Sequence, residues 1–130
     1  MARMVNCIKL KREPDQLVRD LEHFFVLENE GNIIGCAAIY PYKEETTAEL
    51  AALAVNPFYR DGGRGERLLE YAEMRARAAG LKSLFVLSTR TTHWFLERGF
   101  MESAPGSLPE RRRAHYNYDR RSKVFIKALK

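Results

Sequence analysis

The amino-acid sequence predicts one mixed α/β domain over residues 1–130, an α+β mixed sheet, on three observations. Apolar runs joined by short polar loops between His23 and Val55 read as an antiparallel meander. A long amphipathic helix begins near Arg64. A further strand, helix and strand then close the chain, with no change of composition that would separate two domains.

Taken in order, Met4 to Lys11 is the first candidate strand, on a weak alternation of Val5 and Cys7 with Asn6 and Ile8. Pro14-Asp15 opens a short helix with Leu17, Val18 and Leu21 on one face. His23 to Leu27 and Ile33 to Tyr40 form a hairpin about Glu28–Asn32, where Gly31 supplies the turn. Pro41 and Lys43 to Thr47 read as a loop, and a third strand runs from Ala48 to Val55, ended by Asn56-Pro57. Residues 57–63 read as a glycine-rich loop. The helix over Arg64–Ala79 places Leu68, Leu69, Ala72, Ala76 and Ala79 on one face and Glu66, Arg67, Glu70, Glu73 and Arg77 elsewhere. Gly80 stops it. Leu84 to Leu87 is apolar without alternation, which suits a strand inside a sheet. Thr92 to Arg98 is a short helix ended by Gly99. A polar loop follows Phe100, then a basic segment over Leu108–Tyr118 and a last strand from Lys123 to Leu129.

At 130 residues, 45% hydrophobic and 30% charged, the chain has the composition of a globular domain with a real core. No apolar stretch reaches bilayer length, and Met1-Ala2-Arg3-Met4 has no apolar signal core, so a cytoplasmic location is expected. Cys7 and Cys36 lack metal-ligand spacing, and His23, His93 and His115 stand singly, so no metal is expected. The two thiols read as buried or strand-borne groups in a reducing compartment. The net charge of +5 is uneven: Arg111 to Lys130 carries eight Lys or Arg and one acid, Asp119. Such a tail suits an anionic partner, and charge alone leaves nucleic acid, a membrane surface and a phosphate-bearing small molecule open.

The segment Val55-Asn56-Pro57-Phe58-Tyr59-Arg60-Asp61-Gly62-Gly63-Arg64-Gly65 is the most informative. A strand ends, glycines follow, and a helix opens, so several backbone N–H groups stand at the positive end of a helix where a phosphate or pyrophosphate binds. Arg60 and Arg64 add charge-assisted contacts. A pair of loop glycines alone would read as a plain connection. The spacing Arg-x-x-Gly-x-Gly fits neither the P-loop nor the dinucleotide fingerprint.

Those residues, Arg60, Gly63 and Gly65, resemble the acetyl-CoA motif of the GNAT superfamily of N-acetyltransferases, Arg/Gln-x-x-Gly-x-Gly/Ala. Trp94 to Phe100 is similar to that superfamily's helix near the acyl end of the cosubstrate. Within the superfamily, six segments in order resemble the acetyltransferase domain of the N-acetylglutamate synthase family: Gly35–Pro41, Glu49–Ala51, Leu84–Arg90, Trp94-Phe95, Leu108–Arg112 and Tyr116–Lys123. The likeness covers nearly everything from Phe24 onward. It implies a GNAT acyl-CoA N-acyltransferase fold with splayed central strands. The chain departs from the family's common longer form, being N-terminally shortened and without an amino-acid-kinase domain, so arginine regulation is not carried over.

The resemblance further implies acetyl-CoA as cosubstrate and L-glutamate as acceptor, giving N-acetyl-L-glutamate and CoA by direct attack in a ternary complex, as in arginine biosynthesis. Cosubstrate contacts would come from the backbone of Leu53, Ala54 and Val55 and from Arg60, Asp61, Gly62, Gly63, Arg64 and Gly65, with a Leu53 N–H as oxyanion donor. Glu49, which by itself reads as a solvated carboxylate at a strand start, becomes the base acting through a water. The position of the tyrosine acid found in many GNAT enzymes is Phe95 here. Ser88 is the nearest polar candidate, either a hydrogen-bond donor to the thiolate or a strand-end cap. Glutamate's two carboxylates call for more than one cation: Arg12 and Arg121, with Lys123 and Arg120 next. Arg111 to Arg113 read as a solvated face. The partners expected are acetyl-CoA and glutamate rather than nucleic acid or membrane, with a homodimer as the candidate assembly. Three alternatives stand beside this: another amine, amino acid or protein N-terminus as acceptor, a non-catalytic acetyl-CoA-binding domain, and a basic nucleic-acid-binding module.

Overall fold

The structure is a computed structural model that describes residues 3–6, 22–116 and 122–129. Within these are seven strands, β1 (Arg3–Asn6), β2 (Phe24–Asn29), β3 (Asn32–Tyr42), β4 (Thr47–Val55), β5 (Ser83–Ser88), β6 (Met101–Ser103) and β7 (Lys123–Ala128). Three α-helices accompany them, α1 (Arg64–Ala78), α2 (Thr92–Glu97) and α3 (Glu110–Arg113). The expected first strand is found over Arg3–Asn6. Its continuation to Lys11 and the helix expected after Pro14 lie outside the described residues. The chain divides into two compact units, Met1–Tyr40 with Leu50–Arg75, and Pro41–Glu49 with Ala76–Lys130.

In the first unit the strand order is β1-β2-β3-β4. β2 and β3 pair antiparallel from Phe24↔Ala38 to Asn29↔Asn32, leaving Glu30 and Gly31 as a two-residue turn. Both have positive φ, 52° and 83°, the mirror-image geometry that matches the twist of a hairpin. Phe25, Leu27, Ile34, Ala37 and Ala38 are fully buried. From α1 come Leu68, Leu69 and Ala72, one stripe of the 3.6-residue period. Glu73, placed away from the apolar face on the sequence, is buried as well. At Gly35 β3 lies close to its neighbours: a Cβ there would lie 2.7 Å from the Ala54 carbonyl oxygen and 2.9 Å from Leu68 Cδ1. Only glycine lets the two backbones meet at that distance.

In the second unit the order is β4-β5-β7-β6. β5 runs parallel to β4 and antiparallel to β7. It is covered on both sides, which explains its unbroken apolar run Leu84–Leu87. Phe85, Leu108 and Val124 form the core here, joined by Tyr42, Leu87, Tyr116 and Ile126. Three expectations need correction. β3 continues through Pro41 to Tyr42, and Lys43–Glu45 forms a single 3-10 turn rather than an open loop. Residues Pro57–Gly62 are likewise a 3-10 helix. The polar stretch after Phe100 contains β6, three residues paired with Val124–Ile126 of β7, too short and too exposed to show a period.

Candidate active site

β4 changes character along its length. Thr47, Ala48, Glu49 and Leu50 are all buried, whereas from Ala51 to Val55 the residues are half-buried or exposed in alternation. The parallel ladder to β5 spans Thr47–Glu49, opposite Ser83–Phe85, and stops there. Ala52, a non-glycine residue, has φ 55°. A non-glycine strand residue in the left-handed region is held in a strained backbone conformation. The Cys36 thiol, 3.6 Å away, donates to the Ala52 carbonyl, and burial pushes that thiol above its ordinary pKa. The side chains of Leu53 and Val55 are half-buried and Ala54 is exposed, so these residues are not core.

The strand leads into the glycine-rich segment. The Asn56 side chain accepts a hydrogen bond from the Phe58 N–H at 3.0 Å, and Pro57 occupies the first position of the 3-10 helix. Asparagine caps and proline starts are what short helices of this kind require. Gly63 ends the turn with φ 73°, a conformation glycine takes without strain. The first bond of α1 runs from the Arg67 N–H to the Gly63 carbonyl at 3.1 Å. The N–H groups of Arg64 and Gly65 therefore precede the first internal donor, the Arg67 N–H, at the positive end of a 15-residue helix. The Arg64 guanidinium folds back across Gly62, where a Cβ would strike it, and lies 5.6 Å from the centre of the Tyr59 ring. Arg60 and Asp61 belong to the 3-10 helix, and their side chains lie outside what the structure describes. Phe58 is 93% exposed beside them.

In the second unit Glu49 is not solvated, nor is it free. Its Oε1 accepts from Arg112 Nε at 2.6 Å and its Oε2 from Arg112 Nη2 at 3.4 Å. The two side chains are 12% and 21% exposed. Arg112 is thus not part of a solvated face, which corrects the reading of Arg111–Arg113. Its hydrogen bond to Glu49 holds its pKa above the ordinary arginine value, against the cost of burial. Arg111 lies over the Tyr42 ring at 5.1 Å. Burial, and then the Glu49 charge, push the Tyr42 phenol up. Arg112 reaches Glu49 because the basic segment is anchored at both ends: Leu108 is buried in the Phe85–Val124 cluster, and the Tyr116 hydroxyl donates to the Ser122 carbonyl.

Ser88 ends β5, opposite Lys123 of β7. Its hydroxyl oxygen accepts from the Thr91 N–H at 3.2 Å and lies 3.2 Å from Thr91 Oγ1. The capping role is therefore real, and it leaves the hydroxyl proton free to point elsewhere if Thr91 donates. Lys123 is exposed. Phe95 is buried, edge-on to Trp94 at 5.1 Å and Phe100 at 5.2 Å, a core residue with no polar atom to offer. Arg12, Arg120 and Arg121 lie outside the described residues. Arg112 and Tyr42 were missed by local pattern, because 63 residues separate Arg112 from Glu49 and no periodicity links them. Among the described residues no group of three or more His, Cys, Asp or Glu could hold a metal ion, and no helix is long and apolar enough to cross a membrane.

Comparison with known proteins adds to this geometry. The model of the acetyltransferase (GNAT) family matches residues 5–100. An amino-acid acetyltransferase from Azotobacter vinelandii is 56% identical over 122 residues, 94% of this chain and 28% of that protein. The chain spans little more than a quarter of the length of such curated relatives. The crystal structure of N-acetylglutamate synthase from Neisseria gonorrhoeae, complexed with coenzyme A and N-acetyl-glutamate, superposes with a TM-score of 0.88 at 35% identity, covering 100% of this chain and 35% of that one. A GNAT-family acetyltransferase from Staphylococcus aureus Mu50 shares the fold alone, with a TM-score of 0.77 at 14% identity over 100% of both chains.

Proposed function

Because the chain belongs to the acetyltransferase (GNAT) family, we propose that residues 1–130 work as one acetyltransferase domain that moves the acetyl group of acetyl-CoA to the α-amino group of L-glutamate. The observation that carries the reading is the course of β4: a buried carboxylate near its start, a ladder to β5 that ends at that residue, a positive φ at Ala52, and a helix start suited to an anion shortly after it. The relatives support it too, since a 56% identical protein is an amino-acid acetyltransferase and a 35% identical structure holds coenzyme A and N-acetyl-glutamate.

In this reading the pyrophosphate of acetyl-CoA sits on the backbone of Gly62–Gly65, with Arg60 and Arg64 adding charge. The pantetheine amides run along the backbone of Leu53, Ala54 and Val55 as an added strand. The Leu53 N–H polarises the thioester carbonyl. Glu49 takes a proton from the α-ammonium group through a water, and the neutral amine attacks the carbonyl carbon. The C–S bond breaks with its electron pair on sulfur, where the Ser88 hydroxyl donates a hydrogen bond, and the sulfur takes the second N–H proton of the attacking amine, leaving the neutral amide and the free thiol of CoA. Arg12, Arg121 and Lys123 supply cations for the two carboxylates of glutamate.

The test is free-thiol release from acetyl-CoA with L-glutamate, set beside aspartate, glutamine, lysine and no acceptor. Release that depends on glutamate is the expected result. Release with every amine alike removes glutamate as the acceptor, and no release with any acceptor removes the activity.

A further inference from the structure

Both oxygens of Glu49 face the Arg112 guanidinium, which takes one acceptor site on each and leaves the other lone pairs of the carboxylate open. The pair is also well held. Arg111, next in sequence, lies over Tyr42, and Leu108 roots the segment in the core. At 12% and 21% exposure the two side chains are screened little by solvent but remain within reach of a small solute.

What opens the pair follows from the chemistry of the fork. A guanidinium binds one carboxylate as well as another, so an incoming carboxylate can replace Glu49 with no change in the number or kind of bonds. A neutral group cannot, because it would leave the cation without a counter-charge in a partly buried site. We propose that Arg112 is a specificity-determining residue that exchanges Glu49 for the α-carboxylate of the acceptor, so that an amino acid with a free α-carboxylate is seated with its amine beside the base. This rests on the acetyl-transfer reading above.

The α-carboxylate shares its carbon neighbour with the attacking amine. The residue that takes it must therefore stand beside the residue that takes the amine's proton, as Arg112 stands beside Glu49. The second carboxylate of glutamate, two methylenes further on, is left to the other cations. The exchange is balanced: two guanidinium–Glu49 hydrogen bonds break and two guanidinium–substrate bonds form. Glu49 then accepts one proton from the ammonium group. When the acetylated product leaves, Glu49 returns that proton to solvent and recovers Arg112.

The experiment compares L-glutamate, its α-amide and its γ-amide (glutamine) as acceptors for the wild-type chain, Arg112→Gln and Arg112→Lys, by thiol release. In the wild type, kcat/KM for glutamate over the α-amide should be at least about 100-fold, as expected where a site loses its partner for a buried polar group. In Arg112→Gln that ratio should fall at least about tenfold, while the ratio of glutamate to the γ-amide holds within about twofold. Arg112→Lys, which keeps the charge without the fork, should fall between. An unchanged glutamate to α-amide ratio in both variants, or an equal loss with all three acceptors, overturns the proposal. Wild-type protein with no glutamate-dependent release would instead sink the acetyl-transfer reading and this inference with it.

Discussion

Glu49→Gln separates the chemical role of this residue from its structural one. The substitution keeps the side chain's size and removes its charge and its proton affinity. As a base, Glu49 is worth about 10²–10⁴ in rate, so kcat should fall by that factor while the KM for acetyl-CoA stays within about twofold. The same change strips Arg112 of its counter-charge. Exposed pairs contribute about 0.2–1 kcal/mol, and breaking a fully buried pair costs about 3–5 kcal/mol. At 12% and 21% exposure the Glu49–Arg112 pair falls between these limits, and a loss of about 1–2 kcal/mol is expected once solvent screening is counted. For a domain of this size that lowers Tm by about 4–8 °C. The double variant Glu49→Gln/Arg112→Gln removes the orphaned cation and should recover at least half of the lost Tm without recovering kcat. Thermal melts and steady-state thiol release read the two quantities separately. Retention of more than about a tenth of wild-type kcat in Glu49→Gln would remove it as the base. Recovery of kcat in the double variant would show that the single change acted through misplacement of Arg112.

Three further outcomes are expected. Gly35→Ala places a methyl 2.7 Å from the Ala54 carbonyl oxygen, so it should cost about 1–3 kcal/mol in a denaturant titration and raise the KM for acetyl-CoA more than that for glutamate; a neutral result would show that β4 shifts freely there. Ala52→Gly relieves a residue held at φ 55° and should change stability by less than about 1 kcal/mol in the favourable direction, since relief of strain is partly offset by the entropy of glycine in the unfolded chain; clear destabilisation would count against strain at this residue. The Tyr42 phenol, raised by burial and then by the Glu49 charge, should give the ultraviolet titration a component above the ordinary tyrosine range that Tyr42→Phe removes. Because the raised value belongs to the folded state, its contribution is fully present below about pH 10 and is lost as pH rises through the folded pKa. A titration in which Tyr42→Phe removes only an ordinary component would refute this.

Much of the fold was legible because its signals are local. The hairpin at Glu30-Gly31, the stripe of Leu68, Leu69 and Ala72 on α1, and the unbroken apolar run of β5 each declare themselves within a few residues. The GNAT likeness read from Arg60, Gly63 and Gly65 agrees with the family match over residues 5–100. What escaped lacks a local period. β6 has three residues, two of them exposed, and earns its place only by pairing with β7. The turns at Lys43–Glu45 and Pro57–Gly62 are short 3-10 helices, the second capped by Asn56, and composition reads such stretches as loop.

The site divides along the same line. The glycine-rich loop is a contiguous stretch, so its residues and spacing could be read directly. Glu49 also stood out, because a carboxylate at the mouth of an apolar strand requires a partner or water. What the sequence could not show was which of these it had. Three consecutive arginines, Arg111 to Arg113, look alike in a chain, and their fates are set by geometry: α3 turns about 100° per residue, so neighbours must face differently. One lies over Tyr42, the next pairs with Glu49, and the third donates from Nη1 to the Gly106 carbonyl at 3.1 Å. The general lesson concerns basic runs near an expected carboxylate site. A run of like charges reads as a solvated face only until a short helix is rooted by an apolar residue such as Leu108. Once rooted, one arginine of the three is directed inward, and a buried acid elsewhere in the chain is the partner to look for.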